Sequence, residues 1–163
     1  MSGLKARTAQ IVNVLEKQDI LLKDVTLRLF AANTLDEQWL SSVLQKPEGI
    51  DKLDSFIGKF CRMQDNFIDK LTPLLLTMLG EISSSAINNL NKLERLNIIS
   101  NANDWIDMRL IRNKLVHEYF DDISELLAHL ILAKELANQL HQSYCKVKTM
   151  LNEKENPEGM KLL

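Results

Sequence analysis

The sequence predicts an all-α protein, folded as an antiparallel bundle of five to six helices. Apolar residues recur at three- and four-residue spacing along most of the chain, which indicates amphipathic helices. Gly (5) and Pro (3) are too scarce in 163 residues for a turn-rich sandwich or barrel. A chain of this length suits one domain with a substantial core. We therefore predict a single helical domain over residues 1–155 and a frayed C-terminal tail over residues 156–163.

The N-terminal part predicts two helices joined by short polar segments. The first runs from about Lys5 to Ala32, and Asp36 can cap the second, which carries DEQWLSSVLQ. The run 46–49 (KPEG) predicts a turn, because proline cannot continue a helix and Gly49 frees the backbone. The apolar face of the first helix consists of Ile11, Val14, Leu15, Leu21, Leu22, Val25 and Leu29.

The middle of the chain predicts a long helix from about Ile50 that is interrupted at Pro73. The proline ring removes one hydrogen bond and crowds the preceding turn, so the helix should kink or restart there. Gly80 should end this segment, and Ser83–Ser85 offers an N-cap to a shorter helix from Ala86 to about Leu96. The buried face of the long helix is predicted to hold Leu53, Phe56, Ile57, Phe60, Met63, Phe67, Ile68 and Leu71.

Two helices are predicted in the C-terminal part. The polar run 101–104 (NAND) caps a helix that begins near Trp105. Asp121 and Asp122 predict a break, because carboxylates favour a helix N-terminus, and the last helix should start near Ile123. Its apolar stripe continues through Ile123, Leu126, Leu127, Leu130, Ile131, Leu136, Ala137, Leu140, Tyr144, Val147 and Leu151.

Charge and cysteine content restrict the classes of partner and compartment. Lys and Arg total 20 and Asp and Glu total 22, a net charge of -2, so no global basic field attracts nucleic acid or anionic membrane. Cys61 and Cys145 make no disulfide framework, the N-terminus lacks a secretory signal, and Leu71–Leu79 is too short to span a bilayer. We expect a cytoplasmic protein that does not enter a membrane.

One segment combines residue types that could cleave RNA without a metal. RNKLVHEY carries Arg112, Asn113, His117 and Tyr119 within eight residues. Arginine binds phosphate in a two-pronged contact, and histidine can move a proton to or from a ribose 2′-hydroxyl or a leaving 5′-oxygen. On a regular helix Arg112 and His117 lie roughly 140° apart. They would therefore meet on one phosphate only if the helix breaks near His117, or if two chains combine their residues.

This segment resembles the signature of the HEPN domains, all-α proteins of prokaryotic toxin–antitoxin and defence systems. Arg112, Asn113 and His117 match Arg-Asn-x-x-x-His, and Tyr119 extends it to the R-x4-H-x-Y form encoded beside a minimal nucleotidyltransferase. The upstream Trp105, Met108 and Arg109 are similar to the run that precedes this motif in the nucleotidyltransferase substrate-binding branch. The motif covers eight residues, or about fifteen with the upstream run.

The resemblance implies a homodimeric, metal-independent endoribonuclease toxin with the motifs of both chains facing one cleft. Arg112 would bind the scissile phosphate, His117 would be the general acid or base, and Asn113 would orient either of them. Arg109 and Lys114 could extend a local positive patch. In this branch the cognate nucleotidyltransferase antitoxin can attach AMP to the motif tyrosine, here Tyr119, and a bulky anion there would block RNA.

Two other hypotheses remain open. The chain could be a catalytically silent subunit that presents substrate to a minimal nucleotidyltransferase or forms a scaffold with it. It could also be a plain helical interaction protein in which the motif is structural. The surrounding acids argue against tight RNA binding by this chain alone; they are Asp104, Asp107, Glu118, Asp121 and Asp122.

No metal site and no cofactor are predicted. His141 and Cys145 are four residues apart and could share a metal ion, but no further ligand is near them in sequence. Cys61 lies beside apolar residues and is expected to be inert core. Ser83–Ser85 has no adjacent base and is interpreted as a cap.

Overall fold

The computed structural model describes residues 2–117 and 122–155, and the predicted tail at 156–163 lies outside this range. Within the described residues all regular secondary structure is helical and there is no strand, so the predicted all-α bundle is confirmed. A π-helical turn joins α3 to α4 without a break, so the chain forms six separate helical rods. The elements are α1 (Ser2–Leu29), α2 (Glu37–Leu44), α3 (Pro47–Asp65), the π turn (Asn66–Leu71), α4 (Thr72–Met78), α5 (Ala86–Arg95), α6 (Ala102–His117) and α7 (Ile123–Glu155).

Helix α3 lies at the centre of the bundle, where it packs against α1, α2, α6 and α7. Side-chain pairs give the direction of two of the packed helix pairs. On α1 and α7, Asp19 contacts His141 while the earlier Glu16 contacts Lys148, so these two helices run antiparallel. Helix α3 with its π turn is likewise antiparallel to α6, because ion pairs join Asp65 to Arg112 and Asp69 to Arg109.

Aromatic side chains from several helices form the middle of the core. Phe56, Phe60 and Phe67 are fully buried, as the spacing predicts, and Trp105 of α6 is almost so. The rings of Phe56 and Phe60 stack at 6.0 Å, and Phe67 lies 4.7 Å from Trp105 between ring centroids. Because these rings are covered by one another, they offer no platform on which a base could stack.

The predicted turn at 46–49 is wrong in its second half. Pro47 is the first residue of α3, and Gly49 is already helical. Proline is well tolerated at this position, because the first N–H groups of a helix have no intrahelical acceptor. A Cβ on Gly49 would lie 2.0 Å from the backbone oxygen of Val43, so glycine permits the close approach of α2 to α3 rather than freeing a turn.

The predicted interruption at Pro73 takes the form of the π turn immediately before it. Pro73 has no N–H to donate to the carbonyl four residues earlier, and a wider turn accommodates its ring. The backbone N–H and the hydroxyl of Thr72 both donate to the carbonyl of Phe67, the hydroxyl at 2.8 Å. The carbonyl oxygen of Phe67 is therefore hydrogen-bonded where the π turn passes into α4.

Several helix ends are capped as predicted. Asp36 accepts from the N–H of Trp39, and Ser85 accepts from that of Asn88. Gly80 has φ +77°, and the bonds from Gly80 N to Thr77 O and from Glu81 N to Leu76 O form a Schellman motif.

Four predicted helix boundaries shift by three residues. Helix α1 begins at Ser2 rather than near Lys5, and α3 begins at Pro47 rather than near Ile50. Helix α6 begins at Ala102 rather than near Trp105, because Glu94 Oε2 accepts from the N–H of Ala102 at 2.7 Å. Helix α1 ends at Leu29 rather than at Ala32. None of the helices in the described ranges is both long enough and apolar enough to cross a bilayer.

Candidate functional site

Helix α6 carries every described residue of the predicted site. Its inner face is held by Trp105, Met108, Ile111 and Leu115, which are buried at helical spacing. This apolar face fixes the rotation of α6 against α3. As a result Arg109 and Arg112, which lie between the buried positions, reach the edge of the α3–α6 contact.

The guanidinium of Arg112 is held by two oxygen acceptors. Its Nη2 donates to Asp65 Oδ2 at 2.9 Å, and its Nη1 donates to Asn113 Oδ1 at 3.1 Å. The side chain is 28% exposed, and Asp65 is 41% exposed. Its Nε is buried without a hydrogen-bond partner among the described residues. Since a guanidinium has five N–H groups, the remaining Nη hydrogens can still donate to a phosphate oxygen.

Arg109 makes a parallel contact one turn earlier on α6. Its Nη1 lies 3.0 Å from Asp69 Oδ1, in the π turn. The earlier acid, Asp65, pairs with the later arginine, Arg112, and the later acid, Asp69, pairs with the earlier arginine, Arg109. Helix α6 is therefore antiparallel to α3 and its π turn. Both motif arginines are therefore neutralised by carboxylates of this chain. Such partly exposed pairs are each worth about 0.2–1 kcal/mol, so a stronger anion can displace them.

The other predicted residues differ in how much the structure says about them. Asn113 is exposed beside Arg112, and Lys114 is half-buried. His117 is the last residue of α6, so the helix is continuous from Arg112 to His117. Their backbone positions therefore lie about 140° apart around the helix axis. The side chain of His117 and all of Tyr119 lie outside the described residues.

Helix α7 begins directly after Asp122. Asp122 Oδ1 accepts from the N–H of Ser124 at 2.9 Å and from its hydroxyl at 2.8 Å, so Asp122 caps α7 as predicted. These hydrogen bonds lower the pKa of the Asp122 carboxyl below its ordinary value. Asp121 of the predicted break lies outside the described residues. The Asp122 carboxylate stays ionised at neutral pH.

Cys61 lies near the Arg112 pair but is unsuited to chemistry. It is buried, as predicted for an inert core residue. Burial raises the pKa of its thiol to about 11, although the nearby Arg112 guanidinium acts in the opposite direction. At neutral pH the sulfur is therefore protonated and a poor nucleophile.

Sequence reasoning missed Asp65 and Asp69 as parts of the site. They are 47 and 40 residues away from the arginines that they bind. The sequence does contain a matching pattern. Asp65 and Asp69 are four residues apart and Arg109 and Arg112 are three apart, so on antiparallel helices the two acids can face the two arginines. That pattern becomes readable only once the packing of α3 against α6 is known.

A second cluster of polar residues lies far from this motif in sequence. Asp19 of α1 meets His141 and Cys145 of α7, and their donor atoms all lie within 4.8 Å of one another. This supplies the third residue that the sequence did not reveal beside His141 and Cys145. It is the one group of three potential metal ligands among the residues that the structure describes.

Comparisons with known proteins give no further guide to the site. No family model, no curated protein and no solved structure matches this chain.

Proposed function

We propose that the chain is a HEPN-type endoribonuclease that acts without a metal and as a homodimer. The observation that carries the proposal is the Arg112 guanidinium, which Asp65 and Asn113 hold at the edge of the α3–α6 contact with part of its surface open. A cation oriented in this way can bind a phosphate and stabilise the charge that develops on it during cleavage. His117 supplies the proton transfer in this proposal.

The continuity of α6 supports a site made from two copies. Arg112 and His117 are separated by about 140° on one regular helix, so a single copy does not direct both at one phosphate. In a twofold dimer the same surface of both copies faces one cleft. Arg112 of one copy and His117 of the other can then reach the same phosphate. The dimer thereby provides two histidines and two arginines.

With two histidines the proton balance of the cleavage closes. One neutral histidine takes the proton of the ribose 2′-hydroxyl while the 2′-oxygen attacks phosphorus. The P–O5′ bond breaks, and the second, protonated histidine donates its proton to the leaving 5′-oxygen. The products are a 2′,3′-cyclic phosphate and a 5′-hydroxyl, and no metal ion or external cofactor takes part. The Arg112 side chains balance the negative charge on the phosphorane.

The ion pairs of the arginines favour a second candidate. Asp65 and Asp69 neutralise Arg112 and Arg109, so the described part of the motif presents little free positive charge. This arrangement suits a catalytically silent subunit that binds a minimal nucleotidyltransferase, with the arginines serving to hold α6 on α3. Under the first candidate, that nucleotidyltransferase is instead the antitoxin, which attaches AMP to Tyr119.

The test is cleavage of total tRNA in excess EDTA by the wild-type chain and by His117→Ala. General acid–base catalysis contributes about 10²–10⁴-fold, so we expect at least a hundredfold loss in His117→Ala. Arg112→Ala should be similarly impaired. Arg28→Ala is the matched control, because Arg28 pairs with Asp24 on the exposed surface of α1. Circular dichroism establishes that each variant is folded.

Three results would decide against the nuclease. Cleavage that needs a divalent metal, or that survives in His117→Ala, would refute the mechanism. Absence of cleavage by a wild-type chain whose intact mass carries no AMP would favour the silent subunit. Its binding to a minimal nucleotidyltransferase can then be measured directly by size-exclusion chromatography.

A further inference from the structure

Three potential metal ligands meet where α1 packs against α7. The Nδ1 atom of His141 lies 2.8 Å from Asp19 Oδ1 and 2.9 Å from Asp19 Oδ2. The Sγ atom of Cys145 lies 3.9 Å from Nδ1 and 3.7 Å from Nε2 of the same ring. The side chain of Asp19 is 12% exposed and that of His141 is 35% exposed. A nearly buried carboxylate, a half-buried imidazole and an exposed thiol thus lie together where α1 contacts α7.

These distances are close to those of a tetrahedral zinc site. Zinc binds imidazole nitrogen and carboxylate oxygen at about 2.0–2.2 Å and thiolate sulfur at about 2.3 Å. At tetrahedral angles these lengths place nitrogen and oxygen about 3.3 Å apart, and nitrogen and sulfur about 3.6 Å apart. The observed separations from Nδ1, 2.8 Å to Asp19 and 3.9 Å to Cys145, differ from these by about half an ångström or less. The Asp19 oxygen and Cys145 Sγ lie within 4.8 Å of each other, whereas a tetrahedral site places oxygen and sulfur about 3.6 Å apart, so side-chain movements of about 1 Å are needed to admit an ion.

The alternative interpretation of these residues is a Cys–His–Asp nucleophile triad, and the geometry disfavours it. In such a triad the thiol lies in line with one ring nitrogen, which removes its proton. Here the sulfur is nearly equidistant from both nitrogens, at 3.7 and 3.9 Å, so it is not aligned with either. Burial and the neighbouring Asp19 carboxylate also raise the pKa of Cys145, whereas an activated nucleophile needs a lowered pKa. A bound cation would reverse that effect and hold the sulfur as thiolate.

The cluster also borders a cavity. Asp19 and His141 lie at the wall of a groove of about 710 Å³ between α1 and α7. Most of the remaining wall is apolar and includes Leu22, Leu27 and Leu132. Cys145 is not part of this wall, so the groove meets the cluster only on the side of Asp19 and His141. Three protein ligands with the fourth position left to water or substrate are typical of catalytic rather than structural zinc sites.

We propose that Asp19, His141 and Cys145 bind one divalent ion of the zinc class, whose fourth coordination position opens into the groove between α1 and α7. The mixed nitrogen, sulfur and oxygen donor set selects zinc over Mg²⁺ or Ca²⁺, which prefer all-oxygen ligands. The open position takes water, or a Lewis-basic group on a small apolar molecule that fills the groove.

Binding has a defined proton balance. The Cys145 thiol loses its proton to solvent and binds as thiolate. The imidazole of His141 binds the ion through the Nδ1 lone pair and carries its one remaining proton on Nε2. Cys145 therefore accounts for one proton released per ion bound.

The first measurement is titration of the full chain with Co²⁺, after treatment with EDTA and removal of the chelator. Cobalt replaces zinc in sites of this donor set and reports a thiolate ligand through a ligand-to-metal charge-transfer band in the near ultraviolet. We expect one Co²⁺ per chain with this band, displacement by Zn²⁺, and no displacement by Mg²⁺. At a Zn²⁺ concentration 100-fold above Kd, Tm should rise by about 5–10 °C.

Three variants separate a metal site from a chance hydrogen-bonded cluster. Cys145→Ser should abolish the charge-transfer band, and Asp19→Asn should weaken Zn²⁺ binding at least tenfold while retaining a hydrogen bond to His141. His129→Gln is the matched control, since His129 is also on α7 but lies outside the cluster, with Nδ1 2.7 Å from Glu125 O. The control should bind Co²⁺ as the wild type does.

The proposal is overturned by saturating Co²⁺ that gives no thiolate band, or by a band and affinity that persist in both Cys145→Ser and Asp19→Asn. Loss of binding in His129→Gln to the same degree would also overturn it. The test is independent of the proposed nuclease activity, which is measured in EDTA with this ion removed. Asp19→Asn should therefore leave RNA cleavage unchanged.

Discussion

Gln64 on α3 offers a prediction that depends on neither proposal. It is only 1% exposed, and both atoms of its amide group are buried without a hydrogen-bond partner among the described residues. Its neighbours one helical turn away on the same face are buried and apolar: Phe60, Cys61, Phe67 and Ile68. An amide left unpaired in such surroundings costs about 1–3 kcal/mol.

Gln64→Met should therefore raise the free energy of unfolding by about 1–3 kcal/mol. Methionine has a similar length and no strong hydrogen-bonding group, and its flexibility lets it occupy the same space. For a chain of this length Tm should increase by about 2–4 °C for each kcal/mol. Urea denaturation followed by circular dichroism measures the change, with the slope m expected to stay constant.

Gln18→Met is the matched control for this prediction. Gln18 Oε1 accepts from Asn66 Nδ2 at 3.0 Å, so the same substitution removes an amide that has a partner. It should lower the free energy of unfolding by about 1 kcal/mol. If Gln64→Met is instead destabilised by 1 kcal/mol or more, Gln64 is hydrogen-bonded in solution and the reasoning from its burial is wrong.

Three further outcomes are expected. Asp65→Asn should strengthen RNA binding by about twofold to fivefold, measured by filter binding, because it removes the negative charge that pairs with Arg112, an interaction worth about 0.5–1 kcal/mol; unchanged or weaker binding would contradict a phosphate-binding role for this arginine. Ser85→Ala should lower the free energy of unfolding by about 1 kcal/mol in urea, because Ser85 caps α5, and no loss would show the cap to be dispensable. A thiol reagent at pH 8 should label the exposed Cys145 first and Cys61 only after unfolding, since burial raises the pKa of Cys61 to about 11; equal rates would refute its burial.

The helices themselves were largely predictable, because they depend on local spacing and caps. Ile123 begins α7 as expected, and Asp36 and Ser85 cap the helices that they precede. Errors occurred where packing between helices decides which residue is needed. Gly49 suggested a flexible turn, yet it lies within α3, and glycine is required there because the backbone of Val43 in α2 approaches it too closely for any side chain.

The motif on α6 shows the same division between local and long-range information. The sequence predicted that Arg112, Asn113 and His117 lie on one helix, and α6 is helical through His117. The angular separation of Arg112 and His117 follows from their spacing on that helix. The sequence did not show that Asp65 would bind Arg112, because that contact depends on which face of α3 meets α6. The net charge around Arg112 is therefore a property of the packed helices rather than of the motif.

The proposed metal site shows most clearly how local spacing and long-range packing differ in what they reveal. It consists of Asp19, His141 and Cys145. His141 and Cys145 share a face of α7 by local spacing alone, whereas Asp19 is 122 positions away from His141. Antiparallel packing brings Asp19 to this face, and the contact of Glu16, about one turn before Asp19, with Lys148, two turns after His141, fixes the register. Two donors rarely hold a zinc ion, while three with an open position define a usable site. The predicted absence of a metal site rested on counting ligands along the chain, and the fold changes that count from two to three.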